Sequence, residues 1–222
     1  MIFALAFPLL LGLFLLSLAI LVVVVEFKII GYAYQKIGVP ARWMLALLLL
    51  TLVGSHVNIP IGAVHIQHVA PPRHVTVYGR TYVAPPVQRE GMTIIAINVG
   101  GALVPVMLSL YLFLRSRVRG RMLLGVAVVA AIVHSLARIV PGAGIAVLMF
   151  VPPLAAAAVS VVLAFRRAPP VAYVSGSMGA LIGADLLNLP RIGELGAPVV
   201  SIGGAGTFDG VFLTGIIAGL LA

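Results

Sequence analysis

Cysteine is missing from the 222 residues, which removes disulfides, thiolate metal sites and cysteine nucleophiles from consideration. Charge is scarce as well. Only 9% of residues are Asp, Glu, Lys or Arg, and only five are acidic, where soluble chains carry about 25% charged residues. Hydrophobic residues make up 62% of the chain and its mean hydropathy is +1.22, so most side chains must face lipid or one another within a bilayer. The formal charge of +9 would suit nucleic acid, but the basic residues sit in short gaps between apolar runs. That is how orientation is encoded in a membrane protein, and no nucleic-acid partner is expected. The chain also has no Gly-Lys-Ser/Thr step. Its glycine-rich stretches therefore match neither a phosphate loop nor a dinucleotide fingerprint, and no cofactor or metal is expected.

What is present is a series of long apolar runs. A membrane-crossing helix needs about 20 mainly apolar residues, and seven stretches qualify: 2–25, 43–61, 92–114, 122–139, 143–165, 171–189 and 198–221. The expected fold is an all-α polytopic membrane protein, a single transmembrane domain over 1–222 with the lipid bilayer as its principal partner. The first run has no basic residue before it and is long for a signal-peptide core, so it reads as a retained helix. Nine basic residues fall in the odd-numbered gaps and five in the even-numbered ones, counting Arg138 at the end of the fourth run with the gap that follows it, which places the N-terminus outside and the C-terminus in the cytoplasm.

The longest gap, 62–91, is the one place for an extramembrane element. Val75-Thr76-Val77-Tyr78 and Thr81-Tyr82-Val83 are β-branched and aromatic, flanked by Pro71-Pro72 and Pro85-Pro86, and predict a small extracytoplasmic β-hairpin. His65, His68 and His74 near its entrance lack zinc-type spacing and read as solvated loop residues.

Both aspartates of the chain lie in its last fifty residues, inside stretches too apolar to be loops. A carboxylate at the centre of a bilayer-spanning helix costs roughly 2.5 to 3.5 kcal/mol on insertion scales, and two on consecutive spans predict a shared polar site. Counted back from the turn at 190–196, Asp185 is three to four helical residues deep, about 6 Å. Asp209 is about a dozen residues into the last span, behind Gly203, Gly204 and Gly206. Those glycines make an unwound start plausible, which would bring Asp209 towards the level of Asp185; such backbone is tolerated only against protein or a polar cavity. Adjacent like charges do not both ionise cheaply, and one charged and one neutral carboxyl can activate water and protonate a leaving amine. The same pair could relay a proton or cation, or each aspartate could cap a broken helix by accepting backbone N–H bonds. Candidate catalytic residues are therefore Asp185 and Asp209, with Gly203, Gly204, Gly206, Thr207, Asn98, Asn188 and His56 as candidate binding residues.

Other polar residues are read more plainly. His56 and Asn58 close the second span and Asn98 opens the third, on the side of the 190–196 turn. They could line the same cavity, although each alone reads as an interfacial residue. His134 and Arg138 are spaced i, i+4, and Arg138 is either a counter-ion to an aspartate or a snorkelling side chain. The sequence names no partner for Tyr173, Ser175 or Ser177. Asn98-Val99-Gly100-Gly101-Ala102 resembles Ser201-Ile202-Gly203-Gly204-Ala205, either as a repeat of the kind found in transporters or as two small-residue faces. Gly100, Gly179 and Gly183 would suit close packing within or between molecules, which leaves the oligomeric state open.

The placement of one Asp on a sixth span and one on a seventh, after a glycine-rich element, resembles intramembrane aspartyl proteases of the presenilin and signal-peptide-peptidase type. That resemblance implies a hydrolase acting on a membrane peptide through Asp185 and Asp209. The sequence departs from the pattern at Ala184, where the family has tyrosine, and at Thr207-Phe208, which separate the Gly-Ala-Gly step from Asp209. The whole chain more closely resembles an uncharacterised family of prokaryotic multi-pass proteins with a Gly-Gly-Ala-Gly-Thr-Phe-Asp-Gly stretch, which implies a place in the cell membrane. Alternatives to hydrolysis are a small transporter or channel for a solute or ion, and a membrane scaffold.

Overall fold

A run rich in Leu, Ile, Val and Phe makes the first segment one long helix, α1 (Phe3–Ile37), which continues through Glu26 and Lys28 beyond the apolar run expected to end at residue 25. Gly38 ends it at φ +97°. The Val39 and Gly38 amides turn back to the carbonyls of Tyr34 and Gln35 at 2.8 and 3.0 Å, a left-handed C-terminal cap that glycine adopts without steric cost. In this computed structural model the described residues are 3–69, 73–77, 80–84, 88–140, 144–195, 197–204 and 210–222.

Beyond α1 the chain departs from a plain helical array. Helix α2 (Met44–Gly54) stops early and gives way to strand β1 (Asn58–Val69). Strands β2 (Arg73–Val77) and β3 (Arg80–Ala84) pair as the expected hairpin, and β4 (Gln88–Asn98) runs back beside β1, from Val69↔Gln88 to Asn58↔Asn98. Residues 58–61 and 92–98, expected inside the second and third spans, are thus strand. The physical reason lies in Ile59, Ile61, Ile94, Ile95 and Ile97: short β-branched runs are apolar enough for a bilayer but favour extended backbone, and hydropathy does not separate the two. The last span divides in the same way. Its first residues form β7 (Val199–Ile202), parallel to β4 with Ile94 opposite Val199, and its remainder is helix α7 (Gly210–Leu221).

The helices Val104–Arg115, Val151–Ala164 and Ala168–Ala180 are each entered where proline presets the first turn. A π-helical turn, Val99–Leu103, leads into α3 (Val104–Arg115), which carries Pro105. Helix α4 (Arg119–Leu136) follows, then a short hairpin of β5 (Arg138–Val140) and β6 (Gly144–Ala146). Helix α5 (Val151–Ala164) begins with Pro152 and Pro153, and one 3₁₀ turn, Phe165–Arg167, reverses the chain into α6 (Ala168–Ala180). Among the described residues, three helical stretches, Phe14–Ile37, Arg119–Leu136 and Val151–Ile192, are long and apolar enough to cross a membrane, and 41–54, 99–115 and 210–221 are shorter apolar helices. The protein is a mostly helical, membrane-type chain with a small sheet.

Helix α6 is the centre of the bundle. Every residue from Val171 to Ser177 is buried, against α3, α4, α5 and α7. Lipid tails are as apolar as side chains, so close approach of small residues drives such packing. A Cβ on Gly183 would fall 2.5 Å from the Ala130 carbonyl oxygen of α4, and one on Gly179 would fall 2.7 Å from the Val129 side chain. Gly125 leaves room for Ser175, and Gly215 for Ser177 and Tyr173. Gly100 abuts the α2 backbone at Thr51 and Ser55. The close approaches at Gly100, Gly179 and Gly183 are therefore satisfied within one molecule. Helix α1 touches this bundle near its C-terminal end, where Ala33, Tyr34 and Ile37 are buried and the Lys36 ammonium donates to the Leu220 carbonyl at 2.8 Å. That contact places the ends of α1 and α7 together and meets the partial negative charge of a helix C-terminus.

Candidate functional site

Helix α6 does not continue past Ala180 with regular hydrogen bonding. It widens into a π turn, Leu181–Asp185, and then tightens into a 3₁₀ stretch, Leu186–Leu195. Breaks of this kind free backbone groups that must find partners in an apolar setting. Asn188 supplies one: its side-chain amide donates to the Ala184 carbonyl at 2.8 Å and to the Gly183 carbonyl at 3.3 Å, and lies 3.4 Å from the His134 ring. Asp185 supplies another. Its carboxylate accepts the Gly203 N–H at 2.6 Å, tying the broken end of α6 to the non-helical start of the last segment.

Gly203 is required at that junction for two reasons. Its φ of +76° is left-handed, and a Cβ would fall 2.6 Å from the Gly101 carbonyl carbon and 2.8 Å from the Ala102 Cβ. The two glycine pairs that resemble each other in sequence thus meet in space. Each follows a strand of the same sheet, the two strands run parallel, and α3 follows the first strand as α7 follows the second.

The unwound backbone borders a cavity of about 810 Å³. Asp185, Ser201, Gly203, Gly204, Gly210 and Thr214 contribute to its wall, and the remainder is mostly apolar. Asp209, Gly206 and Thr207 lie outside the described residues; Gly210, the next residue in the chain after Asp209, lines the cavity. A carboxyl held through one oxygen at such a wall can exchange a proton with, or accept a hydrogen bond from, a molecule inside it.

The remaining expected residues divide between scaffold and periphery. Asn98 is buried and is structural: its carbonyl oxygen accepts the Gly101 N–H at 2.8 Å, and its amide donates to the Ser55 carbonyl at 2.7 Å and to Asn58 Oδ1 at 3.1 Å. Asn58 in turn accepts from the Ser201 hydroxyl, so this network fixes the strand that leads into Gly203. His56 is exposed, its ring 3.0 Å from the Leu52 carbonyl, and none of His56, Asn58, Asn98 and Asn188 lines the cavity. His134 and Arg138 do not share a helix, because α4 ends at Leu136 and Arg138 begins β5 with an exposed side chain. Ser175 and Ser177 are fully buried, packed against glycines of neighbouring helices. Ser201 and Thr214 line the cavity without any signal in the sequence, because a lone hydroxyl in an apolar run carries none until the fold turns it towards a cavity.

Comparison with known proteins adds the family and nothing about chemistry. No curated protein and no solved structure gives a match. The profile of the family described as "Protein of unknown function (DUF1614)" matches residues 52–221, a range that holds α3 to α7, the sheet and both aspartates. The chain belongs to the DUF1614 family.

Proposed function

We propose that the chain is a multi-pass membrane protein, N-terminus outside and C-terminus in the cytoplasm, with Asp185 and Asp209 serving one reactive site of an aspartyl-hydrolase type. The observation that carries the reading is the cavity itself: Asp185 and Gly210 lie on its wall together, and Asp209 is the residue bonded to Gly210. The cavity is mostly apolar and holds a single carboxylate among its described lining residues, which suits an apolar substrate with one polar, cleavable group. Of the pair, one carboxyl would activate water and the other would protonate the departing group. A membrane-embedded peptide is the substrate class this arrangement favours.

A second reading rests on a specific contact. The Gly203 N–H bond to Asp185 is also what a purely structural cap would make. Two substitutions separate the readings. Asp185→Asn keeps an oxygen for Gly203 but cannot cycle a proton, whereas Asp185→Ala loses the bond. For a hydrolase, purified protein in lipid nanodiscs should cleave membrane peptides, as followed by mass spectrometry, and Asp185→Asn and Asp209→Asn should each abolish cleavage with little change in Tm. Normal cleavage by either single Asn variant would sink the paired site. If the carboxyl is only a cap, Asp185→Asn is silent in every assay and Asp185→Ala alone lowers Tm. A pH-dependent flux in proteoliposomes, lost in both Asn variants, would instead assign the carboxylates to proton or cation coupling.

A further inference from the structure

The end of the bundle remote from this cavity carries a second feature, independent of the aspartates. Arg121 immediately precedes Met122 at the start of α4, and Arg166 and Arg167 fill the turn between Ala164 and Ala168. Met122, Ala164 and Val171 belong to one buried cluster, with Val118 packed against it, so the α3–α4 turn and the α5–α6 turn meet over the same core. Arg117 lies in the first of these turns. All four residues are exposed, and none of their guanidinium groups has a hydrogen-bond or ion-pair partner among the described residues. Their neighbours differ: Arg119 donates to the Phe113 and Leu114 carbonyls at 3.1 and 2.6 Å, and Arg115 to the Tyr111 hydroxyl. Residues 91–184, which supply α3 to α6, contain no Asp or Glu.

The surface next to these arginines is apolar. Val162 and Phe165, within one turn of Arg166, are 84% and 79% exposed. Leu114, Leu123 and Leu124 on the adjoining ends of α3 and α4 are more than half exposed. A cationic cluster bordered on its bundle side by bare aliphatic and aromatic groups matches a phospholipid, whose phosphate lies at the boundary and whose chains run down the helices.

We propose that the α3–α4 and α5–α6 turns form a binding site for an anionic phospholipid, in which Arg117, Arg121, Arg166 and Arg167 hold the headgroup phosphate and Val162 and Phe165 contact its acyl chains. Arginine suits this role because its planar fork meets phosphate oxygens in pairs. Each basic residue near an anionic membrane surface strengthens attraction by about fivefold.

The test uses the full chain in nanodiscs of phosphatidylcholine doped with phosphatidylglycerol, with retained lipids counted by native mass spectrometry. The wild type should retain phosphatidylglycerol over phosphatidylcholine, and the preference should fall about fivefold with Arg121→Gln or Arg166→Gln alone and vanish when all four arginines are Gln. The control Arg73→Gln/Arg80→Gln/Arg89→Gln, which removes charge from the strand region, should retain the preference. No preference in the wild type, or equal loss in the control, overturns the site. Displacement by inorganic phosphate as effectively as by phosphatidylglycerol would overturn the lipid in favour of a soluble anion. Because the wild-type preference and the single variants are read separately, a quadruple variant that fails to fold leaves the question decidable.

Discussion

Gly203 shows how much one residue can carry. Its φ of +76° costs an L-residue roughly 1–2 kcal/mol, and the neighbouring backbone of Gly101 and Ala102 leaves no room for a methyl group. Gly203→Ala should therefore lower stability by about 3 kcal/mol and withdraw the N–H from Asp185, read as an early thermal transition in detergent. Asn98 is the other residue on which the local geometry rests. Asn98→Ala leaves the Gly101 N–H and the Ser55 carbonyl without their side-chain partners, a loss of about 2 kcal/mol. For a chain of this size that is a fall in Tm of about 6 °C. A Tm within 1 °C of wild type, to take about a quarter kcal/mol as the threshold, would show that the network contributes nothing. These residues stand out in the sequence only as a glycine pair and an asparagine at the edge of an apolar run; what each one touches is not written there.

Among the elements, α6 is the one that a single side chain can displace. Gly183 approaches the α4 backbone so closely that a Cβ would meet the Ala130 carbonyl oxygen at 2.5 Å. Gly183→Leu should force α4 and α6 apart at a cost of roughly 3 kcal/mol, with aggregation or early melting as the readout. Gly12→Leu is the matched control, since a Cβ there meets nothing within 4 Å and should leave Tm unchanged. Helix α6 and its π turn set surroundings for Asp185 that hydropathy along the chain does not give. Only the break at Leu181–Asp185 aims its carboxyl at Gly203, just past the end of β7. The strands are where hydropathy misled most. The segments 58–61, 92–98 and 199–202 are apolar enough for a membrane helix but pair into the sheet β1–β4–β7, because β-branched residues with partners at hand satisfy their amides between strands as well as within a helix.

For the whole molecule, the distribution of charge makes a direct prediction. With no native cysteine, single cysteines report sidedness without background. Arg80→Cys, in the hairpin, should react with a membrane-impermeant maleimide in intact cells, whereas Ala222→Cys should react only after the membrane is opened. The reverse pattern would invert the proposed orientation and with it the side on which the cavity and the arginine cluster lie.

The sequence by itself determined the solvent. Composition and the spacing of arginines state that this chain belongs in a bilayer, that it has no thiol chemistry, and that its two aspartates are the unusual acids, because each of these depends on residue counts and on one-dimensional hydropathy. Tertiary structure alone decided which apolar runs are strand, that the two Gly-Gly-Ala stretches lie against each other, and that Asp185 is held by a backbone amide at a cavity wall. Those outcomes depend on which backbone groups find partners across the fold. Pairing between residues a hundred positions apart leaves no periodic trace along the chain.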